Sequence, residues 1–169
     1  MKQPRIGDAF GRWLQHQHDG GTTVSFIERD DGFIETEEGV YFKEYKDWPV
    51  FERKAIKLAR GRVLDVGCGA GRHALYLQRK NIDVTGLDSS PLALKVCRQR
   101  GLRKTRQMCF SDIGRFPAGS FDTVVMMGNN FGLMGGPKAA GARPALTDGP
   151  RATGAAPAHL TGERAGVRG

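Results

Sequence analysis

Gly67, Gly69 and Gly71 alternate with Cys68 and Ala70 in the run Asp65-Val66-Gly67-Cys68-Gly69-Ala70-Gly71-Arg72. Glycines at that spacing leave a strip of main chain without side chains, free to take positive φ and to let a ligand rest against backbone N–H groups. Asp88 follows Asp65 at about the 20-residue spacing that brings a carboxylate to a ribose in nucleotide-binding folds. Its two oxygens can accept hydrogen bonds from both hydroxyls of an unphosphorylated ribose, and their charge would repel a 2′-phosphate. The bend and the acid together predict a nucleotide-type pocket with a free ribose.

Strands and helices must hold those groups in place. Val63, Leu64 and Val66 form a short apolar run of the kind that makes a buried parallel strand, and Ala74, Leu75 and Leu77 begin a helical pattern after the bend. Residues 82–87 read as the next strand and end in Asp88. Ser90 then reads as an N-cap and Pro91 as a first helical residue. Leu92 with Val96, and Ala93 with Cys97, give that helix an apolar stripe, which Gly101 ends. Strands are expected near 62–66, 83–87, 106–110 and 121–127, and their alternation with helices predicts a parallel α/β sheet. Upstream, Asp47 is a candidate cap for a helix containing Pro49, with Phe51, Ala55, Leu58 and Ala59 on the packed face. A hairpin is expected where 25–28 meets 33–35 across Asp31-Gly32.

The glycine spacing separates two ligand classes. Nicotinamide-dinucleotide turns usually read G-x-G-x-x-G; here the third glycine, Gly71, comes one residue early and Arg72 follows. A nicotinamide-dependent oxidoreductase is therefore the lesser reading. With Asp65 the run is D-x-G-x-G-x-G, which resembles the first motif of the class I S-adenosylmethionine-dependent methyltransferases. Ser111-Asp112-Ile113, and the segment from Phe116 through Pro117, Gly119, Ser120, Phe121 and Asp122 to Val125, are similar to that family's third and fourth motifs. The matching segments stand in order over about residues 62–130.

The resemblance implies a Rossmann-like fold, a parallel sheet with helices on both faces, and S-adenosyl-L-methionine as cofactor. It implies that Asp65 engages the methionine amino end, that Gly67, Cys68, Gly69 and Gly71 form the floor, that Asp88 with Ser89 takes the ribose, and that Asp112 and Ile113 read adenine. Asn129 or Asn130 would orient the methionine group or a substrate. Tyr41 and Tyr45 precede the first strand, where the family often places a substrate lid. Methyl transfer from a sulfonium is an in-line displacement by a good leaving group, so orientation in a water-poor cleft, worth about 7–11 kcal/mol, can carry much of the rate. No catalytic residue is identified. The expected acceptor is a small molecule; a binding remnant without turnover is the alternative.

Composition narrows the remaining classes. The 169 residues suffice for one domain with a core. No apolar run reaches the roughly 18 residues of a membrane span, no signal-peptide core stands at the start, and no membrane partner is expected. Three widely spaced cysteines, Cys68, Cys97 and Cys109, indicate neither a disulfide framework nor zinc, and His16 and His18 lack further ligands, so no metal is expected. These features read as a reduced, cytoplasmic protein. Net charge is +8, with −4 in residues 1–50, +9 in 51–136 and +3 beyond. The basic cluster of Arg98, Arg100, Arg103, Lys104 and Arg106 has no interleaved aromatics, which disfavours nucleic acid. His73 reads as a surface helix residue.

Three segments follow: 1–46 as a cap or lid, 47–136 as an incomplete cofactor-binding domain, and 137–169 as a tail. Of the 33 residues in the tail, nine are Ala, six Gly, four Pro and four Arg, and none is aromatic. Such a segment cannot bury enough apolar surface to offset chain entropy and is expected to be disordered. Its bias toward residues with GC-rich codons suggests that the native frame is lost near residue 137. The C-terminal half of the seven-stranded sheet that the family usually has would then be missing, leaving Val124, Val125, Met126 and Met127 on an open edge.

Overall fold

The structure is a computed structural model and describes residues 8–22, 25–28, 32, 34–37, 39–128 and 130. Four short strands, β3 (Arg62–Val66), β4 (Asp83–Asp88), β5 (Thr105–Gln107) and β6 (Thr123–Val125), form one sheet in the order β5-β4-β3-β6. Every neighbouring pair is parallel, with Val63 beside Val84 on one side and beside Thr123 on the other. The chain runs outward from β3 to β5, then returns to lay β6 on β3's free side. That reversal makes a topological switch point, and open α/β sheets bind ligands at the carboxyl end of such a point.

Burial on both sheet faces explains why Val63, Leu64 and Val66 of β3 are all apolar. Val63 faces a core of Trp48, Ile56, Ala74, Leu77, Val84, Leu94 and Cys97. Leu64 and Val66 face the other side, with Leu87, Ile113 and Phe121. Helix α3 (Arg72–Arg79) begins at Gly71, whose φ is +78°, and α4 (Pro91–Gln99) begins at Ser90, whose hydroxyl accepts from Ala93 N at 2.9 Å. Gly101, at φ +94°, ends α4, and Leu102 N closes the turn on Cys97 O at 2.9 Å. The cap, the first-turn proline and the terminal glycine stand as expected.

Outside the sheet, β1 (Ser25–Glu28) pairs antiparallel with β2 (Ile34–Glu37), which is the expected hairpin. Helix α1 (Ala9–His18) was not expected. Only Gly11 and Leu14 of it are buried, too sparse a stripe to stand out in a polar segment. It packs against α4, where Leu14 joins Ala70, Ala93 and Val96.

Helix α2 (Val50–Ala55) corrects the sequence reading in two ways. Its N-cap is Pro49 without a side-chain bond, and Asp47 ends a separate 3-10 turn, Tyr45–Asp47. Its buried face is Glu52, Ile56 and Ala59, whereas Phe51 is 69% and Leu58 78% exposed. The helix gives way to a 3-10 turn at Ile56–Leu58, and the buried positions keep the i, i+4, i+7 spacing but start at Glu52, one residue after Phe51. Strands β5 and β6 are also shorter than the expected 106–110 and 121–127. The composition break at residue 137 lies outside the described residues.

Candidate cofactor site

Backbone geometry creates the site. Gly67, Gly69 and Gly71 have φ of +66°, +53° and +78°, values that side chains disfavour. Their turn carries the chain across the end of β4, where Leu87 O accepts from Gly67 N at 2.8 Å and from Cys68 N at 3.0 Å. Gly67 must also lack a Cβ for room, because one would stand 2.6 Å from Asn130 Cγ. Asn130 Nδ2 donates to Val66 O at 3.1 Å and Gly67 O at 2.8 Å, tying the segment after β6 to the bend.

Asp88 stands at the rim with both oxygens engaged. Oδ2 accepts from Gly69 N and Oδ1 from Ser90 N, each at 2.9 Å. The carboxylate thus fixes the bend to the start of α4, and it is 9% exposed, toward a cavity of about 390 Å³. Each oxygen keeps a second lone pair for a ligand hydroxyl. The cavity lies at the switch point, and its volume falls in the range of small-molecule sites, about 300–1,000 Å³.

Gly67, Cys68, Asp88, Ser89, Tyr41 and Asn130 of the expected site residues line this cavity. Gly69 and Gly71 shape the bend instead: a Cβ on Gly69 would face Tyr41 at 3.5 Å, and one on Gly71 would strike Cys97 Sγ at 2.9 Å. Asp65 sits beneath the bend, 1% exposed, where Oδ2 accepts from Ala74 N at 3.1 Å. Burial pushes its carboxyl up to about 7, against the pull of that bond and with Asp88 adding to the rise. Asp112 is exposed and Ile113 packs in the lower core; the wall on that side is Met108, Cys109 and Phe110. Tyr45 stacks on Tyr76 at 4.5 Å and donates to Arg53 O at 3.4 Å, off the cavity. Asn129 lies outside the described residues.

A cluster that the sequence reading did not assemble completes the wall. Glu52, 4% exposed, takes Arg72 Nη2 on both oxygens at 2.9 and 2.8 Å. Arg72 Nη1 also donates to Val40 O at 3.2 Å, and its guanidinium lies over Trp48. His73 is buried, not a surface residue, and its Nε2 stands 3.3 Å from Glu52 Oε2. Burial, helped by the Arg72 charge, brings the His73 pKa down to about 4 despite Glu52, so the ring is neutral at pH 7. Phe10 of α1 and Val40 add the cap segment to the same wall. The one signal for this cluster is Arg72's place at the helix opening directly after the third glycine.

Cys68 Sγ lies 3.8 Å from Cys97 Sγ, which donates to Gly69 O at 3.0 Å. The bond with Cys97 and burial push the Cys68 thiol well up, so it is a packing group and not a nucleophile. Among the described residues, no group of three His, Cys, Asp or Glu could hold a metal ion.

Comparison with known proteins agrees with this geometry. Residues 63–145 match the family model described as a methyltransferase domain. An S-adenosylmethionine-dependent methyltransferase from Bacteroides fragilis, solved in complex with S-adenosyl-L-homocysteine, superposes with a TM-score of 0.63 at 32% identity, over 76% of this chain and 53% of that one. The bend, the carboxylate and the β5-β4-β3-β6 sheet are similar to those of the class I S-adenosylmethionine-dependent methyltransferases. Among curated proteins it is similar to the ubiquinone biosynthesis O-methyltransferases of Xanthomonas oryzae pv. oryzae (strain PXO99A), 38% identical over 77 residues, and of Xanthomonas campestris pv. campestris (strain B100), 35% identical. That alignment covers 43% of this chain and 32% of the Xanthomonas oryzae protein, so the chain spans about a third of the length of these relatives.

Proposed function

We propose that the cavity binds S-adenosyl-L-methionine and that the protein transfers its methyl group to a hydroxyl oxygen of a small molecule. The observation that carries the cofactor reading is Asp88, held by two backbone N–H groups at the mouth of a glycine-floored cavity. The cofactor supplies an electrophilic methyl carbon on a sulfonium. Asp88 would accept from the ribose hydroxyls, and Met108, Cys109 and Phe110 would enclose the adenine. The opposed charges of Glu52 and Arg72 suit an amino-acid zwitterion, and Asn130 would hold the bend rigid beneath it. Phe10 and Tyr41 line the same space and would limit water there, and a drier cavity strengthens the charge interactions within it. The hydroxyl acceptor is supported by the relatives' O-methyltransferase names.

Isothermal titration with S-adenosyl-L-homocysteine, and with NAD as comparison, tests the cofactor reading. Homocysteine-type ligand bound and NAD refused is the expected result. Binding of NAD alone would replace the reading with an oxidoreductase. Methyl transfer to a panel of phenols, followed by mass spectrometry, tests the acceptor. Cofactor binding without turnover on any hydroxyl would favour the non-catalytic alternative.

A further inference from the structure

The outer face of α2 and its following turn departs from an ordinary surface. Val50, Phe51 and Leu58 are 57%, 69% and 78% exposed. At about 100° per residue, these three and Ala55 share one outward arc. On the same count Lys54 falls inside this arc, between Val50 and Leu58, and Lys57 and Arg53 lie just beyond its Val50 side; Lys46 is on the preceding turn, and all three lysines are exposed. None of these four cations forms an ion pair among the described residues. The acid of this helix, Glu52, turns inward to Arg72.

We propose that this face rests on an anionic membrane surface, with Phe51 and Leu58 entering the interface and Lys54 and Lys57 at the level of the lipid headgroups. Cations without an ion pair among the described residues call for an anionic surface, and the large apolar side chains beside them call for an apolar phase just beneath it; a bilayer interface offers both. A second copy of the chain would set lysine against lysine. A folded protein partner needs about 800 Å² per side, whereas this arc covers only two to three turns, and none of its apolar residues lines the cofactor cavity. Lying on a membrane is distinct from spanning one: no helix among the described residues is long and apolar enough to cross. Because Glu52 of the same helix forms cavity wall, the contact would lie about one helix diameter, 10 Å, from the cofactor site.

Co-sedimentation of the full chain with vesicles of phosphatidylcholine, alone or mixed equally with phosphatidylglycerol, tests this. The expected result is binding to the mixed vesicles that neutral vesicles and high salt abolish. Each cation near the surface contributes about five-fold in partition, so Lys54→Gln/Lys57→Gln should weaken binding about 25-fold. Phe51→Ser/Leu58→Ser should weaken it about ten-fold or more. These side chains point outward, so the variants keep the wild-type circular dichroism melt. Arg98→Gln/Arg103→Gln should bind like the wild type, which separates this face from the general positive charge. Phe51→Trp should gain a blue-shifted emission component on mixed vesicles only. Equal binding to both vesicle types, undiminished binding of the Phe51/Leu58 variant, no blue shift, or a solution dimer lost on Phe51→Ser would each overturn the proposal.

Discussion

Replacing Asp88 by asparagine keeps the shape of the side chain and should still disable the site. Both carboxylate oxygens accept from backbone N–H groups, Gly69 and Ser90, at 2.9 Å. In either orientation an asparagine presents its NH₂ to one of those donors. One N–H at the bend or at the start of α4 is left facing another donor, a cost of about 1–3 kcal/mol in a buried setting. Ligand affinity suffers more. A ribose that loses two charge-assisted bonds, each about 1.5–3 kcal/mol, loses at least about 3 kcal/mol of binding, or roughly 150-fold. Calorimetric titration with S-adenosyl-L-homocysteine should show that loss, alongside a melting temperature lower by several degrees. Asp88→Asn that binds within about three-fold of the wild type would refute the assignment of this carboxylate to the ribose.

Gly67→Ala should destabilise the fold by about 2–4 kcal/mol, since a left-handed alanine is strained and its Cβ displaces Asn130; urea denaturation measures this, and adding Asn130→Ala should recover part of the loss. Glu52→Ala leaves Arg72 buried without its partner, and a loss of about 3–5 kcal/mol is expected, against little for Arg62→Ala at the exposed Arg62–Asp122 pair. Stability against pH tests the two shifted groups. Asp65, raised from 3.8 to about 7, holds its proton in the folded state alone, so its contribution falls as pH rises between those values. His73, lowered from 6.5 to about 4, takes a proton in the unfolded state alone, so its contribution rises with pH over its own window. The two slopes oppose each other and leave the wild type nearly flat from about pH 4 to 6.5. Asp65→Asn removes one of them, and stability should then climb by about 1.4 kcal/mol per pH unit in that range. A flat profile in Asp65→Asn would count against these shifts.

Local chemistry made much of the sheet legible in advance. The glycine bend, the Ser90 cap and the Gly101 stop are decided by neighbouring residues, and all three stand where sequence places them. Asp88 was legible because a strand end and a bend leave a carboxylate few places to go. What could not be read are contacts made across the fold. Glu52 meets Arg72 and His73 only because α2 crosses beside α3, and nothing in Val50–Leu58 marks Glu52 as its buried member. Phe10 reaches the cavity through α1, whose single buried leucine is too little periodicity to announce a helix. Asp112 and Ile113 stand where the motif suggests along the chain, yet a 3-10 turn over Phe110–Arg115 leaves the cavity wall to Met108, Cys109 and Phe110.

Asp8 joins segments far apart in sequence. Its Oδ1 accepts from Gly11 N at 2.8 Å within α1, while Oδ2 accepts from Ser90 Oγ at 2.6 Å and Leu92 N at 3.2 Å at the head of α4. A single acid therefore clasps the opening turns of both helices, one bearing Phe10 and the other adjoining Asp88. Releasing that clasp would loosen the roof and the sugar-side wall of the cavity in the same event, so slowed amide exchange in α1 on ligand binding should be matched in the first turn of α4.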